Sequence, residues 1–335
     1  MRVGLLGAGT IARAHAEGYA RAGARVAAVA EVDRPRGRGL ADELGAAWFA
    51  DWRELLERGE VDAVSVCLPH SLHAPATLDA AAAGKHVLCE KPIATTLADA
   101  DRMIAACRRA GVTLMVGHTH RFRLEHVVAK ELLDRGEIGR VVQVRDAIWA
   151  GRADPRAPLG WRGARALNGG GVFMDNGVHA ADRLRWWIGA EAAWVAAATG
   201  RAAEVVEGED HGAALIGFAG GAVATLEQAL VVPRGAGACY AQFLGSEGVL
   251  RVDTWQRLQI ARGGGDWEEV PLPDDRPNGF DAEIQEFVAA ARQGRAPSVT
   301  GQDGRAALEL ILAIYRAAET GQVVRLPLED GPRAG

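Results

Sequence analysis

Apolar and polar positions in the first third of the chain alternate between two periods. Short, nearly continuous apolar runs occur at Arg2–Leu6, Arg25–Ala30, Val61–Leu68, His86–Cys89 and Val112–Val116. The runs other than Arg25–Ala30 are closed by Gly7, Pro69, Pro92 and Gly117. Between them, Thr10–Arg21, Arg36–Leu44, Leu72–Ala83 and Leu97–Ala110 read as helices, the last two ending at Gly84 and Gly111. Strands without polar alternation are buried on both faces, and their alternation with helices predicts parallel βαβ units.

After Gly117 the pattern changes. A helix over Leu124–Arg135 and a strand over Val141–Trp149 precede a Gly- and Pro-rich stretch, Gly151–Gly171, and a helix over Phe173–Ile188. Between Trp194 and Val270, strand-like runs at Ala213–Phe218, Ala222–Ala229, Cys239–Leu244, Val249–Val252 and Leu258–Ala261 are joined by Gly-rich turns, which predicts an antiparallel sheet. Helices at Phe280–Arg292 and Gly304–Thr320 close the pattern. The expected fold is an α/β Rossmann domain, a doubly wound parallel sheet over residues 1–118, followed by an α+β domain with a large, mostly antiparallel open sheet over residues 119–335. The last helix is expected to pack back on the first domain.

The first turn carries chemistry. Gly7-Ala8-Gly9-Thr10-Ile11-Ala12 is G-x-G-x-x-A between a strand and a helix. Gly7 permits the tight turn, Gly9 lets the backbone approach a pyrophosphate, and Ala12 keeps helix and strand close. The helix N-terminus offers N–H groups and a partial positive charge. A chance glycine turn would look the same, but Glu31 follows Gly9 by 22 residues at the end of the second strand. That is near the spacing of about 20 for the acid that binds an adenosine ribose. Glu31 makes NAD the first expectation. Arg34, Arg36 and Arg38 either hold the 2′-phosphate of NADP or form a solvated helix face.

Composition narrows the class. With 335 residues, a net charge of −5 and no basic run, the chain suits two globular domains and lacks the stripe a nucleic acid needs. No apolar stretch reaches the roughly 20 residues of a membrane span, and glycines break the N-terminal run, unlike a signal peptide. Cys67, Cys89, Cys107 and Cys239 form no C-x-x-C pair, which predicts free thiols in a reducing compartment and a cytoplasmic protein.

Two further groups stand out. Glu90-Lys91-Pro92 ends the fourth strong strand, where ligands of open α/β sheets bind. Pro92 fixes the chain direction and so aims Lys91, unless Lys91 is a surface residue in a turn. Asp175 and His179 are four apart near the start of a predicted helix and share its face, so the carboxylate can orient the ring. A capping Asp beside an unrelated His is the plainer alternative. His70, His73, His118 and His120 all follow strand ends at spacings seen in metal sites, but without an acidic or cysteine partner nearby, and no metal is expected.

Together VGLLGAGTIA, CLPHSLHAPATLDAAAAGKHVLCEKPIA (Cys67–Ala94), VGHTHRF (Val116–Phe122), WRGARALNGGGVFMDNGVHAADRLRWWIG (Trp161–Gly189) and TGQDGRAALELILAIYRAAETGQVVRL resemble the glucose–fructose oxidoreductase/inositol dehydrogenase/MocA family over nearly the whole chain. The resemblance implies hydride transfer between NAD(P) and a secondary alcohol or ketone of a sugar, cyclitol or sugar derivative. It implies that Lys91 and His179 are the proton-transfer pair and that Asp175 contacts and orients substrate. Cofactor contacts would come from the glycine turn, Glu31, Pro69, His70, His73, Glu90, Lys91, His118, Trp161 and Arg162. Substrate contacts would add His120, Arg121 and Asn176 to Lys91, Asp175 and His179. Asn176 departs from the apolar residue usual there and either lines the substrate pocket or caps the helix. A homodimer or homotetramer through the second-domain sheet is implied. Two relatives' activities remain as rivals: glycoside cleavage by transient oxidation, and regulation without turnover.

Overall fold

The computed structural model describes residues 1–152, 154, 157–233, 235–273 and 277–328. Three positions of the Gly- and Pro-rich 151–171 stretch and the last seven residues of the expected second domain lie outside these. Strands β1 (Arg2–Leu6), β2 (Arg25–Ala30), β3 (Ala47–Phe49), β4 (Ala63–Val66), β5 (His86–Glu90) and β6 (Leu114–Gly117) form an all-parallel sheet of order β3-β2-β1-β4-β5-β6. This is the doubly wound order, whose direction reverses between β1 and β4. Strand β4 and the inner positions of β1 and β5 are fully buried, which accounts for their unbroken apolar runs.

Helices α1 (Thr10–Arg21), α2 (Arg34–Leu44), α3 (Trp52–Arg58), α4 (His73–Ala82) and α5 (Leu97–Ala110) connect the strands. Their ends are chemically marked. Asp33, Asp51 and Thr96 accept first-turn backbone N–H groups of α2, α3 and α5, each cap contributing about 1 kcal/mol. Gly45 and Gly111 end α2 and α5 in the left-handed conformation. Strand β3 and helix α3 are additions to the expected pattern.

The following segment contains α6 (Leu124–Asp134), α7 (Arg165–Asn168), α8 (Val178–Ile188) and strands β7 (Val141–Arg152), β8 (Ala192–Gly200), β9 (His211–Phe218), β10 (Val223–Pro233), β11 (Ala238–Gly245), β12 (Gly248–Asp253), β13 (Arg257–Arg262) and β14 (Glu268–Glu269). With β15 (Val324–Arg325) they build a nine-stranded sheet of order β14-β13-β12-β11-β7-β10-β9-β8-β15. All neighbours are antiparallel except β7 and β10, which run parallel. The predicted helix over Phe173–Ile188 has two parts: a π turn at Phe173–Gly177 leads into α8. Gly177 makes room there, since a Cβ on it would lie 3.1 Å from the Phe173 ring.

Helix α8 packs on β7 and β10. It brings Arg183 to Asp146 of β7, Nε to Oδ2 at 2.7 Å, with both side chains fully buried. The Arg183 guanidinium also lies over Trp187 at 5.5 Å.

Helices α9 (Gly279–Gln293) and α10 (Gly301–Thr320) complete the elements. The chain forms two compact units, Met1–Phe122 with Pro277–Arg305, and Arg123–Arg276 with Ala306–Gly335. These units divide after Phe122, against the expected division after residue 118. It is the penultimate helix, α9, that lies against α1 in the first unit. Only the opening turn of α10 belongs there, with Gly301 against Ile104 and Gly304 against Val116. Among the described residues no helix is long and apolar enough to cross a membrane.

The Arg183–Asp146 pair makes a direct prediction. Asp146→Ala leaves a buried guanidinium uncompensated and should cost about 3–5 kcal/mol, whereas Asp146→Leu with Arg183→Met should recover most of it. Urea unfolding of the three proteins measures this, and a single variant as stable as the wild type would contradict it.

Candidate active site

Strand β1 ends at Leu6 and the chain turns through Gly7, whose φ is +100°. The Gly7 N–H donates to the Ala30 carbonyl at 2.8 Å, and a Cβ on Gly7 would sit 2.4 Å from the Cys67 carbonyl oxygen. Gly9 is the N-cap of α1. No side chain caps this end, and its first turn holds no acid. A Cβ on Gly9 would meet nothing within 4 Å. The N–H groups at Thr10, Ile11 and Ala12 thus form an uncapped, positively polarised helix end with open space before it, as a pyrophosphate requires. Ala12 is fully buried.

Glu31 closes β2 and ties the turn together. Its Oε2 accepts the Ala8 N–H and its Oε1 the Asp33 N–H, both at 3.0 Å. Arg36 grips both oxygens, at 3.2 and 2.9 Å. Burial would raise the Glu31 pKa, but Arg36 and the two backbone donors hold it below the usual carboxylate range. Arg36 is half exposed while pairing with Glu31. Arg34 and Arg38 lie over the Trp48 ring, at 5.7 and 5.1 Å.

The carboxyl ends of β4 and β5 form the next wall of the first unit. His73 is fully buried, with Nδ1 2.7 Å from the Pro92 carbonyl and Nε2 2.9 Å from that of Leu68. Burial lowers its pKa against the pull of those carbonyls. The neutral ring has one N–H, so it donates to one carbonyl at a time. His73, expected at the cofactor, braces the Pro69 corner against the Glu-Lys-Pro corner. Its ring meets buried His70 edge-on at 5.6 Å. The Lys91–Pro92 bond is cis, and the Lys91 N–H donates to Glu90 Oε2 at 3.2 Å.

Glu90 is served from a direction the sequence does not reveal. His15 Nε2 of α1 lies 3.0 Å from Glu90 Oε1, and His15 Nδ1 lies 3.1 Å from Ser65 Oγ, which is 2.6 Å from the Tyr19 hydroxyl. Glu283 of α9 joins this buried group. Burial would raise the Glu90 pKa, but His15 and Lys91 hold it below the usual range; burial and the Glu90 charge push Glu283 well above it. The only sequence signals for His15 and Glu283 are polar residues on otherwise apolar helix faces.

A 3-10 turn over Thr119–Phe122 follows β6. His118 and His120 are buried, and the Arg121 N–H donates to the His118 carbonyl at 2.9 Å. The Arg121 guanidinium, the expected substrate contact, donates to Asp303 at 3.0 Å and anchors the turn to the first turn of α10. Burial would raise the Asp303 pKa, but Arg121 and Thr300 hold it low.

In the second unit, Trp161 and Arg162 share a 3-10 turn, the guanidinium 4.5 Å over the indole. Arg162 Nε lies 3.3 Å from Asp175 Oδ2. The expected cofactor pair is thus joined to the expected substrate carboxylate. Asp175, Asn176 and His179 are partly exposed, while Phe173, Met174, Gly177 and Val178 are buried. Asn176 lies inside the π turn, which removes the capping alternative for it. With its i→i+5 bonds, this turn is a helical irregularity frequent at functional sites. Glu209 and Tyr315, unmarked in the sequence, hold its start: the Phe173 N–H donates to Glu209 Oε1 at 2.9 Å and the Met174 N–H to the Tyr315 hydroxyl at 3.0 Å. That hydroxyl donates to Glu209 at 2.9 Å.

Comparison with known proteins is consistent with this geometry. An oxidoreductase family with an NAD-binding Rossmann fold matches residues 1–118, and the C-terminal alpha/beta domain of the same family matches 130–326. The chain belongs to the glucose–fructose oxidoreductase/inositol dehydrogenase/MocA family. It is 35% identical to the 1,5-anhydro-D-fructose reductase of Ensifer adhaerens, over 97% of this chain and 98% of that protein. It is 30% identical to the myo-inositol 2-dehydrogenase of Thermotoga maritima, over 97% and 98%. A levoglucosan dehydrogenase solved with NADH and levoglucosan superposes with a TM-score of 0.90 at 25% identity, covering 98% of this chain and 100% of that one. As a member of this family the chain is an NAD-binding oxidoreductase, and the uncapped α1 end with Glu31 fits that cofactor.

The two glycines should separate binding from folding. Gly9→Ala has room for its methyl and should melt like the wild type while weakening NAD affinity at least about tenfold. Gly7→Ala combines a left-handed φ with a backbone clash and should lower the melting temperature as well. Calorimetric titration with thermal unfolding distinguishes them; a Gly9→Ala protein with wild-type affinity would contradict the placement.

Proposed function

We propose that the chain oxidises a secondary alcohol of a sugar, cyclitol or sugar derivative, or reduces the matching ketone, with Lys91 and His179 as the proton-transfer pair and Asp175 as orienter and substrate contact. NAD supplies the hydride acceptor or donor. What the chain must supply is a proton path at the substrate oxygen and fixed orientation. The observation that carries the reading is the setting of Lys91. It follows the last residue of β5 in the Glu-Lys-Pro motif, with its backbone N–H held by buried Glu90. An amine placed there, at the carboxyl edge of the sheet where ligands of doubly wound folds bind, takes or returns the hydroxyl proton. His179 offers a second proton carrier, and Asp175 is itself oriented by Arg162 at 3.3 Å.

Substrate specificity would rest on Asn176, which lies inside the π turn, and on His120 in the turn after β6. The four cysteines are free thiols, which supports a cytoplasmic setting. Association of copies as a homodimer or homotetramer would run through the second-unit sheet, where Leu215 of β9 and Leu244 of β11 are exposed.

Lys91→Ala and His179→Ala should each reduce kcat by about 10²–10⁴, with NAD affinity intact in His179→Ala. The assay is NADH formation across a panel of polyols, inositols and anhydrosugars, with NADP in parallel. Wild-type turnover in both variants would overturn the assignment. Glycoside cleavage without net NADH would point instead to transient oxidation.

A further inference from the structure

Beneath the Glu-Lys-Pro corner, inside the first unit, lies a polar cluster that none of the reaction steps above uses. His15, Glu90 and Glu283 each place one ring nitrogen or carboxylate oxygen within 4.8 Å of the others, and all three are buried. The donors are unequally shared. His15 Nε2 is committed to Glu90 at 3.0 Å, its Nδ1 faces Ser65 at 3.1 Å, and the Lys91 N–H goes to Glu90 at 3.2 Å. Both Glu283 oxygens are buried without a hydrogen-bond partner. An ionised carboxylate in that position would be desolvated and beside a second negative charge, with only the Thr119 hydroxyl to offset these penalties.

We propose that Glu283 is held as a neutral carboxylic acid beside ionised Glu90, so that the two carry a single negative charge and Glu90 positions the Lys91 backbone. The neighbours agree. Helix α1 contributes His15 and Tyr19. Strand β4 and the residue beyond it contribute Ser65 and Cys67, and β5 contributes Glu90 and then Lys91. The turn after β6 contributes Thr119, His120 and Arg121, the last paired with Asp303. On α9 itself, Asp281 is paired with Arg21 at 2.7 Å. No cation in this set is aimed at Glu283. Burial and the Glu90 charge both favour its protonated form, and the Thr119 hydroxyl alone opposes them. Glu283 is a positioning residue, not a catalytic one. Its effect on turnover rests on Lys91 being the proton-transfer group, whereas its protonation does not.

The test uses the whole chain. At neutral pH the infrared spectrum of the wild type should contain a buried protonated-carboxyl C=O band that Glu283→Gln lacks. Glu283's pKa is raised in the folded state, so its stabilising contribution is present in acid and lost as pH rises through the raised value. Glutamine has no proton to lose. The melting temperature of Glu283→Gln minus that of the wild type should therefore grow from about pH 5 upward. Glu283→Ala should lower kcat at least about tenfold, with a shifted pH profile, and Glu283→Gln should restore it to within about threefold, because the amide is a donor of the same shape. A missing carboxyl band, equal losses in the alanine and glutamine variants, or one tightly bound divalent cation per chain on elemental analysis would each overturn the proposal. Wild-type turnover in Lys91→Ala with the band present would instead remove the catalytic reading alone.

Discussion

The first unit depends on the close approach of two helices far apart in sequence. Gly18 sits where α1 meets α9, and a Cβ there would lie 2.8 Å from Ile284 Cγ1. With no side chain at that point, the helices come close enough for Tyr19 to meet Phe287 edge-on at 6.4 Å and for His15 to approach Phe280 at 6.2 Å. The same approach delivers Glu283 to the space behind Glu90. Packing of small against large therefore sets the electrostatics of the Glu-Lys-Pro corner. A bulkier residue at position 18 would act on the carboxyl pair through distance alone.

Much of the fold is legible because burial on both faces leaves an unmistakable mark. Strands β1, β2, β4 and β5 have apolar runs that only a covered parallel sheet explains, and Gly45 and Gly111 end their helices by φ, a property of the residue itself. The three residues of β3 and the seven of α3 escape because neither is long enough to establish a period. Two-residue edges such as Glu268–Glu269 and Val324–Arg325 have no pattern at all; they exist because a neighbouring strand offers bonds. The π turn at Phe173–Gly177 is invisible for another reason. Its side-chain pattern is that of an ordinary helix, and only the packing of Phe173 over Gly177 distinguishes it.

The candidate site divides in the same way. Gly7, Gly9 and Glu31 are linked by one βαβ unit, so their spacing in sequence carries their geometry. Lys91 is legible from Pro92 and the strand end. What surrounds them is not. Arg121 and His73 have the chemistry of ligand contacts, and Asp303 and the carbonyls of Leu68 and Pro92, set by tertiary packing, bond to them as well. His15, Ser65, Tyr19, Glu209 and Tyr315 support the motif residues without motifs of their own. Local spacing reports the groups that meet a ligand, and tertiary packing decides which polar groups are used up holding them.

The first unit is built from two separated pieces of chain, and this has a consequence for synthesis. Arg21 and Asp281 pair across a sequence separation of 260. Domains generally complete themselves in the order they leave the ribosome, N-terminal first. Here residues 1–122 emerge early with the apolar face of α1 uncovered, and their partner α9 arrives only after all the strands from β7 to β14 have been made. Contacts that close such long loops form late. The nucleotide-binding unit begins the chain, yet it is finished only after most of the other unit already exists.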